Sequence, residues 1–289
     1  PRSALAVEAG GRWHTWWSTG RAPARWTEEA AALSRRVAWR PAQPGVEWGE
    51  LRLSGRGEAW RLRVILVRLD PARVRLVLRD STRAAGTRGA WTVAAAQREA
   101  VLALNGGQFR GADPWGWLVQ GGRERQAPGS GPLSMALVAD AAGGIRLVEV
   151  DSIPAVRERG GVVEALQSYP TLLEGDGEVP LPLRGEGDGV DLAHRDSRLA
   201  VGELRDGRIL VALTRFEGLG GVLSELPFGL TIPEMAALMG ALGCRKAVSL
   251  DGGISGQMWL RQADGGEHRW EGLRRVPLGV VVLPRGSPR

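Results

Sequence analysis

A chain of 289 residues, 43% apolar and 24% charged, has enough hydrophobic mass for one large core or two small ones. Its formal charge of +6 comes almost wholly from singly placed arginines, Lys246 being the one lysine. That pattern marks solvated strand faces rather than a nucleic-acid stripe, while attraction to an anionic membrane surface stays open. No apolar run approaches the ~18 residues of a membrane helix, no zinc-ligand spacing or P-loop occurs, and the lone Cys244 excludes an intrachain disulfide.

Residues 1–48 read as a Trp-rich N-terminal arm, with Trp13, Trp16, Trp17, Trp26, Trp39 and Trp48 crowded between glycine and proline breaks. One short helix fits there, with Thr27 as N-cap and Ala30, Leu33 and Val37 on one face, stopped by the Pro41–Gly45 stretch. Rigid, amphipathic tryptophans suit either a small local core or a protein partner docked through this arm.

Residues 49–289 read as the main domain. Ala59 to Leu69 alternates as a strand, with Val74 to Leu78 its expected neighbour, and Trp91 to Ala100 reads as a short helix leading into the strand Val101–Leu104. Hairpins are expected at 115–126, 134–150 and 198–214, each about a glycine-bearing turn, and 174–197 as a long loop. Thr231-Ile232-Pro233-Glu234 predicts a capping box at the head of a helix that Gly243 ends. Lys246–Leu250 and Val276–Leu283 complete the strands. Strands dominate and helices are interspersed irregularly, so the fold class is α+β, strand-rich with mixed sheets.

Two strand ends echo each other. Val101–Leu104 ends in Asn105-Gly106-Gly107, and Ala247–Leu250 ends in Asp251-Gly252-Gly253. A buried strand ending in an acid and two glycines delivers a carboxylate where backbone must approach a ligand closely. Asp251 is thus the first candidate for chemistry, as a base or an electrostatic stabiliser; an Asx-turn acceptor is the alternative. Hard oxygens there would also suit a divalent cation, although no protein metal cluster is expected: His14, His194 and His268 show no ligand spacing.

The order Asn105-Gly106-Gly107-Gln108-Phe109, Gly116-Trp117-Leu118-Val119, Arg198-Leu199-Ala200-Val201-Gly202, Gly229 to Ala236, and Ser249-Leu250-Asp251-Gly252-Gly253-Ile254-Ser255-Gly256 resembles the phosphodiester glycosidase family across roughly residues 60–285. The family pattern is Asn-Gly-Gly-Phe-Phe, Arg-Thr-Ala-Ile-Gly and Asn-Leu-Asp-Gly-Gly-Gly-Ser-Ser. This chain departs from it at Gln108, Leu199, Ser249, Ile254 and Gly256. The resemblance implies a phosphodiester-glycosidase-like domain and a hydrolase that cleaves a sugar from a sugar-1-phosphodiester of cell-envelope type. Asp251, Arg198 and Asn105 would then be catalytic, and Gly106, Gly107, Gly252, Gly253, Ser255 and His194 would bind substrate.

In that reading Arg198 clamps the phosphate with its planar fork, unless it pairs structurally with Asp196 or Glu203. Asn105 would donate to the ligand beside an anion nest of the Gly106 and Gly107 amides, or be a turn asparagine. Ser255 would orient the ligand or simply cap its turn. The second carboxylate is left open among Asp113, Glu174, Asp191 and Asp196, with Glu234 assigned to the capping box. The rival function is a catalytically drifted family member, kept as an accessory subunit docked through the arm; a sugar-binding module without turnover is a third. Export to the periplasm or beyond, with a signal peptide already removed, fits the resemblance and a chain that starts at Pro1.

Overall fold

The computed structural model describes residues 3–55, 61–80, 91–96, 99–186, 190–217 and 228–286. Its centre is a nine-stranded sheet ordered Thr171–Leu173, Cys244–Ser249, Leu199–Leu204, Ile209–Phe216, Arg61–Leu69, Val46–Gly55, Ala4–Ala9 and Arg12–Ser18, with Arg40–Gln43 also paired to Val46–Gly55. Alternate side chains of its inner strands enter different cores. Ile65, Val67, Val211 and Leu213 face one core, and Val64, Leu66, Leu210 and Ala212 the other. Burial on both faces explains why these strands read as nearly unbroken apolar runs. The arginines sit mainly toward strand ends, where Arg63 meets Glu50 and Arg68 meets Glu47 on the neighbouring strand.

Two five-stranded sheets complete the first core. One runs Arg123–Gln126, Leu118–Gln120, Val162–Ser168, Met135–Asp140, Ile145–Glu149, and the other Glu267–Trp270, Met258–Arg261, Leu102–Asn105, Leu278–Pro284, Val74–Asp80. Glu164 fastens them together: its carboxyl accepts the N–H of Leu78 at 3.3 Å and of Gly121 at 3.2 Å. Behind the large sheet, the helix Ile232–Ala241 closes the second core. Its predicted capping box is formed, with Thr231 Oγ1 accepting from the Glu234 N–H at 3.3 Å and Glu234 Oε2 from the Thr231 N–H at 2.9 Å. The result is a strand-rich α+β fold, with the three expected hairpins in place. No helix among the described residues is long and apolar enough to cross a membrane.

Three expectations change. Val74–Asp80 does not pair with Arg61–Leu69 but with Leu278–Pro284 in another sheet. The turn at 70–73, held by Asp70 Oδ1 accepting the Ala72 N–H, carries the chain across the core, and alternation within a strand is blind to that. Trp91 forms a bridge to Val276, and only the single turn Val93–Ala95 is helical there; residues 97–98 lie outside the described residues, as do Ala59 and Trp60 of the expected long strand. Near the N-terminus the helix shrinks to Ala31–Ser34, capped at Ala30 rather than Thr27. The Trp26 and Ala30 N–H groups donate instead to Gly177 and Ala241, so tertiary partners replace helical ones. Residues 3–48 supply three strands of the large sheet, and Trp17, Leu33 and Val37 enter its core.

Candidate active site

Two strand ends from different sheets meet at the site. The Asn105 amide donates to the Asp251 carbonyl at 2.7 Å and to the Gly106 carbonyl at 3.2 Å, while its Oδ1 accepts the Gln257 N–H at 2.9 Å. The Asp251 N–H in turn donates to the Gly106 carbonyl at 3.1 Å. Asn105 is 0% exposed. Both of its N–H donors are committed to backbone, which makes it a staple between turns and leaves no donor for a phosphate or a sugar.

The glycines follow from close approach. Gly106 donates its N–H to Leu278, and a Cβ on Gly107 would lie 2.9 Å from Leu166 and 3.0 Å from the Gln167 carbonyl. The expected anion nest therefore loses the Gly106 amide. A Cβ on Gly252 would lie 2.4 Å from the Ser197 carbonyl. Gly253 has φ +58°, donates its N–H to that same carbonyl at 2.8 Å, and leaves room for the Asp196 carboxylate, 2.8 Å from where a Cβ would stand. This pair brings the 196–198 segment down onto the Asp251 turn.

Asp196 and Asp251 are thereby brought into electrostatic contact. Burial pushes the Asp251 carboxyl up to about 6; the Ser255 hydroxyl and the Arg274 guanidinium pull it down, and the charge of Asp196 adds to the rise. Burial also raises Asp196, against the pull of Arg198, the Ser197 N–H and His194. Asp196 Oδ2 lies 3.5 Å from His194 Nε2, on a histidine that is otherwise exposed. Of the four carboxylates left open by sequence, Asp196 is the one in electrostatic contact with Asp251. Ser255, 3% exposed, is placed as an internal donor to Asp251.

Arg198 turns its fork onto backbone, with Nε donating to the Leu230 carbonyl at 2.8 Å and Nη2 to the His194 carbonyl at 2.7 Å. Glu203 pairs instead with Arg245, and Glu234 is held by both terminal nitrogens of Arg195 at 2.7 and 2.8 Å. Sequence reasoning missed Arg215. Buried in the large sheet, it donates to Ser197 Oγ at 3.2 Å and to the carbonyls of Gly256 and Glu271 at 2.5 and 3.0 Å. Its only signal was a lone arginine at the end of an apolar strand.

The rim is aromatic and basic. Gln108 donates to the Tyr169 carbonyl at 2.6 Å, Tyr169 meets Trp115 edge-on, and Arg274 lies 4.6 Å over Phe109. Ile254 is 42% exposed. Among the described residues no three His, Cys, Asp or Glu side chains converge as a metal site requires. A cleft of about 990 Å³ shares Leu192, Ala193 and Arg195 with this neighbourhood but is not lined by Asp251.

A profile of the phosphodiester glycosidases matches residues 98–283. The chain belongs to the phosphodiester glycosidase family. Three solved structures share the family's fold with it. The catalytic domain of zebrafish N-acetylglucosamine-1-phosphodiester alpha-N-acetylglucosaminidase, auto-inhibited by its pro-peptide, is 15% identical at a TM-score of 0.60, covering 91% of this chain and 94% of that one. A hypothetical protein from Synechocystis is 16% identical at 0.57, over 88% and 65%. A protein of Burkholderia pseudomallei described as exported is 18% identical at 0.52, over 78% and 74%. No curated protein matches by sequence. Within this family's site, the departures have local explanations at two positions. Leu199 is wholly buried in the first core, and Gln108 ties the Asn105 turn to Ser168 and Tyr169. Ser249 leaves its hydroxyl buried without a hydrogen-bond partner.

Proposed function

We infer that this phosphodiester glycosidase family member is an extracytoplasmic hydrolase that releases a sugar from a sugar-1-phosphodiester of cell-envelope type. The observation that carries the reading is the pairing of Asp196 with Asp251, whose carboxyl is raised toward neutrality. A phosphate is a good leaving group, so the reaction needs an activated water and stabilisation of positive charge at the anomeric carbon more than it needs leaving-group protonation. Ionised Asp251 accepts a proton from water as the water oxygen bonds to the anomeric carbon. The carbon–oxygen bond to phosphate breaks with its electron pair leaving on the phosphate, and Asp196 offsets the oxocarbenium charge. Asn105, Ser255 and Arg215 hold the two carboxyl-bearing turns in register. An extracytoplasmic location is supported by the relative described as exported.

A panel of sugar-1-phosphodiesters tests the reading: release of sugar by the wild type, abolished in Asp251→Asn, supports it, and equal rates in the two proteins defeat it. A second reading, an accessory subunit docked on a protein or membrane assembly through residues 1–48, is favoured by one feature. Arg12–Ser18 is an edge strand of the large sheet, with Trp13 38% exposed. Under that reading Trp13→Ser detaches the protein from the assembly it co-purifies with; unchanged association counts against it.

A further inference from the structure

Several arginines approach the Asp251 site, and they differ in what already holds them. Arg195 grips Glu234 with two nitrogens, Arg198 donates to the Leu230 and His194 carbonyls, and Arg215 is buried on Ser197, Gly256 and Glu271. Arg274 is placed otherwise. Its backbone N–H donates to the Ile254 carbonyl at 3.0 Å, and its carbonyl accepts from Gln257 Nε2 at 3.2 Å. Gln257 is in turn bonded to Asn105, so Arg274 is pinned to the turn that carries Asp251 and Ser255. Its exposed guanidinium lies over the Phe109 ring, and it is close enough to Asp251 to act on that carboxyl's charge. Among the described residues no carboxylate comes within ion-pairing distance of it.

We propose that Arg274, seated on Phe109 at the rim of the site, is the residue that holds the anionic phosphate of the substrate and so selects phosphorylated sugars over neutral glycosides. The proposal rests on the hydrolase reading for its substrate but on its own geometry for the residue. A guanidinium stacked on an aromatic ring is held flat at low entropic cost, and its N–H edge stays directed outward for a bidentate pair with phosphate oxygens. Its place beside Asp251 puts the bound phosphate next to the group that activates water. The phosphate's negative charge there also opposes ionisation of Asp251, and Arg274 offsets that effect. One residue thereby couples binding of the anion to the protonation state of the base.

The test is titration of the full chain with glucose 1-phosphate, with glucose as neutral reference, in wild type, Arg274→Met, Arg274→Lys and Arg198→Met. Arg274→Met is expected to weaken the phosphosugar ~10-fold or more, as loss of a charge-assisted pair would. It leaves glucose unchanged, Arg274→Lys recovers part of the affinity, and Arg198→Met weakens the phosphosugar less. Equal phosphosugar affinity in wild type and Arg274→Met overturns the proposal, as does an equal loss for both sugars or a wild type that does not bind the phosphosugar. Binding that follows this pattern in a protein that hydrolyses no diester defeats the hydrolase reading and leaves Arg274 as the anion site. If turnover is seen, Arg274→Met moves the acidic limb of kcat/KM to higher pH, because removing the cation raises Asp251.

Discussion

Asn105-Gly106-Gly107 and Asp251-Gly252-Gly253 look like two copies of one device, yet the structure uses them differently. Asn105 is wholly buried, with its amide bonded to the Asp251 and Gly106 carbonyls and the Gln257 N–H. Asp251 keeps a carboxyl that is raised toward neutrality and faces Asp196 and Arg274 across the turn. The glycines differ as well: Gly107 allows the Asn105 turn to pack on Leu166, and Gly253 makes room for Asp196. An amide that can donate and accept at once suits a staple between backbones, whereas a carboxylate can exchange a proton. The similarity is one of backbone shape, and the difference of one atom type separates a buried staple from a titratable carboxyl.

Four substitutions or conditions probe that division. Asp251→Asn is expected to lower kcat ~10²–10⁴-fold while the protein stays folded, read from turnover and circular dichroism together. Asn105→Ala removes no reacting group, yet it leaves the Gln257 N–H and the Asp251 carbonyl without their partner. It should destabilise the fold by ~2–4 kcal/mol in a denaturant titration, with activity falling because the turn is released. If Asn105→Ala instead kept full stability and lost only activity, Asn105 would belong with the chemistry.

Gly253→Ala forces a side chain into left-handed backbone and against Asp196. A loss of ~1–2 kcal/mol is expected, with kcat reduced more than in an alanine substitution at Gly265, whose φ is +86° and which faces open space.

The last effect is in pH. Asp251 is raised in the folded state, so its contribution to stability is full below its unfolded pKa of about 4. That contribution is lost as pH rises through about 6. Asp251→Asn should therefore be more stable than wild type by ~1–3 kcal/mol at pH 7.5, with the gap closing by pH 4. Glu164, raised by burial to about 7, imposes a second loss of the same sign at higher pH, which Asp251→Asn leaves in place. A gap between the two proteins that does not depend on pH would remove the account of Asp251 given above.

What sequence conveys here is local. The capping box at Thr231, the hairpin turns and the acid-Gly-Gly strand end are each set within a few residues, and each is read correctly from spacing. The crossing of Val74–Asp80 into another sheet is decided by which apolar face finds which partner, and Trp91 is held straight by pairing with Val276 far along the chain. The site divides in the same way. Asp251 announces itself by its strand and glycines. Asp196 was one of four acids in loops, singled out only when Gly253 brings it against Asp251, and Arg274 has no spacing signal because it is positioned by bonds to Ile254 and Gln257.

The pairing of Arg61–Leu69 with Ile209–Phe216 at the middle of the large sheet has a consequence for how the molecule is made. Leu69 must wait for Ile209, about 140 residues later in synthesis. At ribosomal rates of ~5–20 residues per second, that is roughly 7–28 s during which an apolar strand has only one of its two neighbours. The nascent chain thus emerges with an open, apolar edge that is closed only when Ile209–Phe216 has been made. The order of its strands leaves an apolar edge that must stay clear of other chains while synthesis continues.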